Sequence, residues 1–266
     1  MSKIATFKSE NLLVNIYDSR QELGRAAAAD TASKIKELLS QKDEVNMVFA
    51  AAPSQNEFLE ELTKIPGIEW QRINAFHLDE YIGLPEDAPQ KFSRYLYDRI
   101  FSKVPFKSVN YLNGNAEDIQ AECERYGKLL KDNPIDIACI GIGENGHIAF
   151  NDPHVADFND RLIVKKVDLD MKCRMQQVHD GCFSKLEDVP KYALTMTVPA
   201  IIAAKFIFCI VPGKNKAASV KAAVEGPVSE VCPASILRRH PNAVLYLDKD
   251  SASDLAMGGD VGEIAH

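Results

Sequence analysis

The stretch that decides the fold runs from residue 135 to residue 153: Ile135-Asp136-Ile137-Ala138-Cys139-Ile140-Gly141-Ile142-Gly143-Glu144-Asn145-Gly146-His147-Ile148-Ala149-Phe150-Asn151-Asp152-Pro153. Its first six residues are almost wholly apolar and lie between Pro134 and Gly141, which marks a short buried strand. The remainder crowds three glycines, His147, Asp152 and the carboxamides Asn145 and Asn151 into one loop. In open α/β sheets, ligands sit in loops of this kind, at the carboxyl ends of parallel strands.

The same alternation extends in both directions. Leu12 to Tyr17 reads as a first strand, and Ser19-Arg20-Gln21-Glu22 carries the capping-box pattern that starts an Ala-rich helix running to about Gln41. Val45 to Ala51 is a second apolar strand, followed by the loop Ala52-Pro53-Ser54 and a helix whose Phe58, Leu59 and Leu62 share one face. Residues 70 to 76 give a third strand, ending at His77-Leu78-Asp79-Glu80. Helices follow at 91 to 103 and 116 to 132, the second with Asp118, Glu122 and Glu124 on its polar side. Next come a strand-like segment at 161 to 167, a short helix at 199 to 204, a buried strand at 206 to 211, a helix at 214 to 224 and a strand from Ala243 to Leu247. The pattern specifies an α/β fold, a three-layer open, mostly parallel sheet with helices on both faces, Rossmann-like in its winding. Without an internal repeat or a Gly/Ser linker, residues 1–248 read as a single α/β domain. Residues 249–266 read as a short acidic C-terminal tail with little apolar area to dock.

The 266 residues carry a formal net charge of -7 and a pI near 5.5, which argues against a nucleic-acid partner because phosphate neutralisation needs clustered Lys and Arg. The longest apolar stretch, Val198 to Val211, is broken by Pro199 and Lys205 and ended by Pro212. It falls short of the roughly 20 apolar residues of a membrane helix, so no membrane partner is expected. Six scattered cysteines without a C-x-x-C pair read as reduced thiols. The N-terminus lacks the apolar core of a signal peptide, and a cytoplasmic location is expected.

Two places can carry chemistry. Asp79 and Glu80 put adjacent carboxylates just past a strand, where one can face the ligand crevice while its neighbour holds the loop. The competing reading makes Asp79 a cap and leaves Glu80 in solvent. In the loop at 141 to 153 the glycines allow positive φ and bring backbone N–H groups close to a ligand. His147 is the group there that titrates near neutral pH, and Asp152, five residues on, can orient or protonate it.

Taken in chain order, His77-Leu78-Asp79-Glu80-Tyr81-Ile82-Gly83-Leu84, Leu112-Asn113-Gly114-Asn115, the loop from Gly141 to Asn151, Pro190-Lys191-Tyr192-Ala193-Leu194-Thr195, and Lys216 with Ala222-Ala223-Val224-Glu225-Gly226 resemble the glucosamine-6-phosphate deaminase family. The likeness covers roughly residues 12 to 248. The wider group, similar in fold, also includes 6-phosphogluconolactonases and sugar-phosphate sensor domains. The resemblance implies a small sugar phosphate as substrate, with fructose 6-phosphate and ammonia as products, and neither metal nor cofactor. It makes Asp79 the base that moves a proton between C2 and C1 of the open-chain amino sugar. His147, with Asp152 beside it and Asn145 at the ring-opening position, is expected to open the pyranose. Lys216 matches the family's phosphate lysine, and Ala51, Ala52, Ser54, Gln55, Gly143 and Arg174 are the further expected contacts to substrate or phosphate. A homo-oligomer is compatible with the sequence but not specified by it.

The departures are specific. Where the family has a Thr/Ser-Gly-Gly/Ser-Thr-Pro loop, this chain has Ala50-Ala51-Ala52-Pro53-Ser54-Gln55. Alanine resists positive φ and Pro53 has no N–H, so a differently shaped phosphate loop is expected. The family arginine downstream of the histidine aligns with Met175-Gln176-Gln177-Val178, which leaves Arg174 three positions early. Asp152 stands where Glu is commoner and Asn145 where many members have Asp. A carboxamide exchanges no proton, so ring opening falls on His147 and Asp152. Two rival readings follow, a 6-phosphogluconolactonase-like hydrolase, which needs no proton transfer at C2, and a non-catalytic sugar-phosphate sensor. Asp79-Glu80-Tyr81 and Ile148-Ala149-Phe150-Asn151 favour the deaminase.

Overall fold

The computed structural model describes residues 3–256. In chain order the elements are β1 (Lys3–Ser9), β2 (Leu12–Tyr17), α1 (Arg20–Leu39), β3 (Val45–Phe49), α2 (Asn56–Lys64), β4 (Ile73–His77), β5 (Asp79–Tyr81), α3 (Phe92–Leu96), β6 (Ser108–Asn110) and α4 (Ile119–Asp132). They continue with β7 (Ile137–Ile140), β8 (Val164–Asp168), α5 (Met171–His179), β9 (Tyr192–Met196), α6 (Val198–Ile202), β10 (Phe206–Val211), α7 (Ala217–Glu225) and β11 (Ala243–Asp248).

The strand expected at 135 to 140 is β7, buried along its whole length at the middle of an eight-stranded sheet ordered β1-β2-β11-β10-β7-β3-β4-β6. All pairings from β2 to β6 are parallel; β1 alone is antiparallel, on β2. Side chains alternate across a strand, so each central strand feeds two cores. Met47, Phe49, Ile137, Cys139, Phe208 and Ile210 pack with α1, α2, α3 and α5 on one face. Val48, Ala138, Ile140, Ile207, Cys209 and Val211 pack with α4, α6 and α7 on the other. This is the expected three-layer arrangement. Among the described residues no helix is long and apolar enough to cross a membrane, and all six cysteines are unpaired.

Several boundaries differ from the sequence reading. Residues 161 to 167 do not join the main sheet; β8 pairs with β9, and β9 with β5, in a separate three-stranded antiparallel sheet. The third parallel strand begins at Ile73, because Trp70–Arg72 forms a 3₁₀ turn that sets the indole on Phe106 and turns the Arg72 guanidinium onto the carbonyls of Leu39 and Lys42. The helix expected at 91 to 103 is five residues of α-helix continued by a π turn, Tyr97–Phe101. Glu122 leaves the polar side of α4; it is buried, paired with Arg125, and accepts the Asn113 N–H at 2.8 Å. The tail is docked further than expected, with Ala252 and Leu255 buried in the second core and Ser251 bonded to Asp248. Residues 257–266 lie outside the described residues.

One contact fixes the end of β4 ahead of the site. The Tyr126 hydroxyl accepts from the His77 N–H at 3.0 Å and lies 2.9 Å from the His77 carbonyl, to which it donates. The imidazole Nε2 of His77 accepts the Leu112 N–H at 2.9 Å. Burial lowers the pKa of this imidazole from 6.5 to about 4, so it is folded as a neutral acceptor. The unfolded chain therefore takes up a proton that the folded protein refuses between those two values. This contribution to stability is whole above pH 6.5 and is lost as pH falls toward 4, by about 3 kcal/mol in all. Thermal melts of the wild type and of His77→Gln from pH 7.5 to 4.5 check this: the variant should lose stability less steeply with acid.

Candidate active site

Two carboxylates enter the interior side by side at the end of β4, and their surroundings separate them. Glu80, fully buried, accepts N–H bonds from Tyr81 at 2.9 Å, Phe92 at 3.0 Å and Ser93 at 2.9 Å, and so ties the small sheet to the first turn of α3. Asp79, 6 % exposed, accepts no hydrogen bond from any described residue and lines a cleft. Burial first, and the charge of Glu80 second, hold its carboxyl well above the ordinary aspartate range. One carboxylate thus holds the loop and the other faces the crevice, as the sequence suggested; the reading with Glu80 in solvent is excluded. The Leu112–Asn115 turn closes against β5 so tightly that a Cβ on Gly114 would stand 1.8 Å from the Tyr81 carbonyl oxygen, so only glycine fits there.

His147 lines the same cleft. Its Nδ1 is 2.6 Å from Asn145 Oδ1 and 3.2 Å from Asp152 Oδ1. Both neighbours are acceptors, which places the proton on Nδ1 and leaves Nε2 as an acceptor. Asp152 is fully buried; desolvation pushes its pKa up, but hydrogen bonds from His147, the Asp170 N–H and Asn145 outweigh this and hold it below the usual value. Asn145 and Asp152 do not line the cleft; both act from behind the imidazole. Gly143 is required because a Cβ there would lie 2.1 Å from the His147 ring. Ala149 takes a left-handed φ of 52°, a strained conformation for a residue with a side chain. It is pinned by Asn151, whose amide donates to the Ile148 and Met196 carbonyls, and by the Phe150 N–H on the Thr195 hydroxyl.

The third part of the cleft suits an anion. Lys216 is 4 % exposed, and its ammonium forms no hydrogen bond or ion pair with a described residue. Burial lowers its pKa, against the opposing charges of Asp180 and Glu144. The Asp248 carboxylate bonds the Gly213 N–H and so fixes the turn that presents this lysine. Ala51, Ala52, Ser54, Gln55 and Gly143 also line the cleft. The alanine-rich loop needs no positive φ: Ala52 is extended at φ -161°, and the N–H groups of Ala51 and Ala52 donate to no described residue.

Arg174 is not part of this constellation. Its guanidinium donates to the carbonyls of Leu186 and Val189, each at 2.9 Å, and so staples the segment after α5. The turn of helix places Gln176 and Gln177 in the cleft instead, beside Phe92 and Phe150. Sequence reading passed over both glutamines because it sought a cation at that point. The ligand atoms of His147, Asp152 and Cys173 lie within 4.8 Å of one another. Within that space the Asn145 amide donates to Asp152 at 3.1 Å, and burial, reinforced by Asp152, raises the pKa of the Cys173 thiol.

The family described as glucosamine-6-phosphate isomerases/6-phosphogluconolactonase matches residues 18–246. The chain belongs to this family. A glucosamine-6-phosphate deaminase of Listeria innocua is 38% identical over 230 residues, 86% of this chain and 96% of the relative. One of Streptococcus equi subsp. equi is 35% identical over 223 residues, 84% and 92% of the two chains. Among solved structures, a monomeric glucosamine-6-phosphate deaminase superposes with a TM-score of 0.82 at 34% identity, covering 91% of this chain and 99% of its own. A 6-phosphogluconolactonase of Thermotoga maritima reaches 0.72 at 21% identity, covering 90% and 100%, which is a likeness of fold. Within this family fold, the contact of Gly143 with His147 gives a test of the site's packing. Gly143→Ala should cost about 1–3 kcal/mol in denaturant melts and displace the imidazole. An unmoved His147 ring in a structure of that variant would contradict the packing described.

Proposed function

We propose that the chain catalyses the conversion of glucosamine 6-phosphate and water to fructose 6-phosphate and ammonia. The observation that carries this reading is that two groups line one cleft, a buried carboxylate that accepts no hydrogen bond from a described residue and an imidazole whose Nδ1 is already engaged. An aldose-to-ketose shift needs a base over C1 and C2, and pyranose opening needs a proton shuttle at O5 and O1. His147 Nε2 takes the O1 proton and returns it to O5, with Asp152 and Asn145 holding the ring. Asp79, basic because it is buried, removes the C2 proton from the open-chain aldehyde and delivers it to C1, while a proton of the C2 amine passes to O1. The product is an imine at C2; water adds there and ammonia leaves. The phosphate lies on Lys216, the free N–H groups of Ala51 and Ala52, and the Ser54 hydroxyl, with Gln177 at the side. Arg174 has no part in it. Six unpaired thiols and a sugar-phosphate substrate suit a cytoplasmic setting.

Ammonia release and fructose 6-phosphate formation, measured together, test the reaction. Asp79→Asn should lower kcat by ~10²–10⁴. In the wild type kcat/KM should fall with acid as Asp79 is protonated, with its midpoint above the pKa of about 3.9 of an ordinary aspartate. Binding of glucosamine 6-phosphate without either product would make the protein a sensor, and turnover of 6-phosphogluconolactone alone would make it a lactonase. Lys216→Met tests the anion site separately. Loss of a charge-assisted hydrogen bond should raise KM about 10- to 100-fold and leave kcat within a fewfold. An unchanged KM would remove Lys216 from the phosphate.

A further inference from the structure

Asp170 is bonded through both carboxylate oxygens. Oδ1 accepts the Cys173 N–H at 2.6 Å and caps α5. Oδ2 accepts from Asn145 Nδ2 at 3.0 Å, and the Asp170 N–H donates to Asp152 Oδ2 at 3.0 Å. Capping needs only the first of these bonds, and a neutral asparagine provides it as well. The second oxygen serves another purpose.

Asn145 Nδ2 faces two carboxylates, Asp152 Oδ1 at 3.1 Å and Asp170 Oδ2 at 3.0 Å. An amide can satisfy both only with its nitrogen turned to them, one hydrogen to each, so Oδ1 must point the other way. That oxygen accepts the His147 N–H at 3.0 Å and stands 2.6 Å from His147 Nδ1. An acceptor so placed keeps the proton on Nδ1. We propose that Asp170 is a positioning residue for His147: acting through Asn145, it fixes the imidazole as the Nδ1–H tautomer with Nε2 facing the cleft.

The same geometry explains why residue 145 is a carboxamide in this chain. A carboxylate there would be the third in contact with Asp152 and Asp170, with no hydrogen to bridge them, and like charges at such separations repel strongly when buried. The N-terminal N–H groups of α5 and the shared Asn145 amide accommodate two acids, not three. Asn145 and Asp170 therefore form one unit with Asp152, and the identity of either sets what the other can be.

The consequence for catalysis rests on the proposed role of His147; the tautomer does not. Two-bond ¹H–¹⁵N correlation spectra of histidine-labelled protein, with His147 assigned from His147→Gln, should show the Nδ1–H form in the wild type. Asp170→Asn keeps the cap but offers Asn145 an amide donor in place of an acceptor. It should bring in the Nε2–H tautomer, lower kcat at least about tenfold of the ~10²–10⁴ available to acid–base catalysis, leave KM within twofold, and shift Tm little. Asn145→Asp should lose activity, and the double variant Asn145→Asp/Asp170→Asn should recover at least tenfold over it. A pure Nδ1–H signal in Asp170→Asn, or Asn145→Asp as active as the wild type, would overturn the proposal. If the wild type itself releases no ammonia, the proposed reaction fails while the spectra still decide the role of Asp170.

Discussion

The unequal supply of hydrogen-bond donors to two neighbouring carboxylates is the constraint on which the site depends. Glu80 and Asp79 leave β4 together, and burying either without compensation is costly. Glu80 receives three backbone donors and becomes structural. Asp79 receives none from the described residues, and its cost shows as a raised affinity for protons. The fold sustains such a group because its neighbour, on the same short strand, holds α3 and the small sheet in place around it.

That small sheet is what a reading of α/β alternation misses, and the reason is physical. β5 has three residues and β9 five, too short to carry a decisive period, and their partners are far apart in the chain. Asp79 pairs with Thr195, and Thr195 bonds the Phe150 N–H, so residues near 79, 150 and 195 meet at one point. The antiparallel patch closes the carboxyl edge of the parallel sheet with backbone bonds. It thereby lets the histidine loop take the strained turn at Ala149.

Much of the molecule was legible because burial is periodic. β7 and β10 read as continuous apolar runs since both faces are covered, and Ser19 announces α1 through the bond its side chain accepts from the Glu22 N–H. Asp79, His147 and Lys216 stood out as titratable groups at strand ends, and all three line the cleft. What could not be read was direction. Arg174 and Gln177 are three residues apart on one helix, and only the docking of α5 decides which of them turns into the cleft and which staples the chain at Leu186 and Val189. Likewise the triple alanine at 50 to 52 looked like an obstacle only if the loop needed left-handed glycines. With Ala52 extended, it needs none.

The anion end then follows a different balance from a loop rich in glycines and an arginine. A single buried ammonium faces the cleft, with Asp180 and Glu144 near enough to oppose the effect of burial on its pKa. Those two acids oppose the loss of charge that burial favours on Lys216, but they also compete with any anion that approaches it. Asp180 is itself pushed toward its neutral form by burial, which weakens that competition. On the proposed reading, the neutral donors that line the same cleft would carry the remaining load: they add hydrogen bonds without adding charge, and so favour geometry over attraction at a distance. On that reading, an anion would be selected here by fit to Lys216 and the other donors that line the cleft, more than by the field of the cleft.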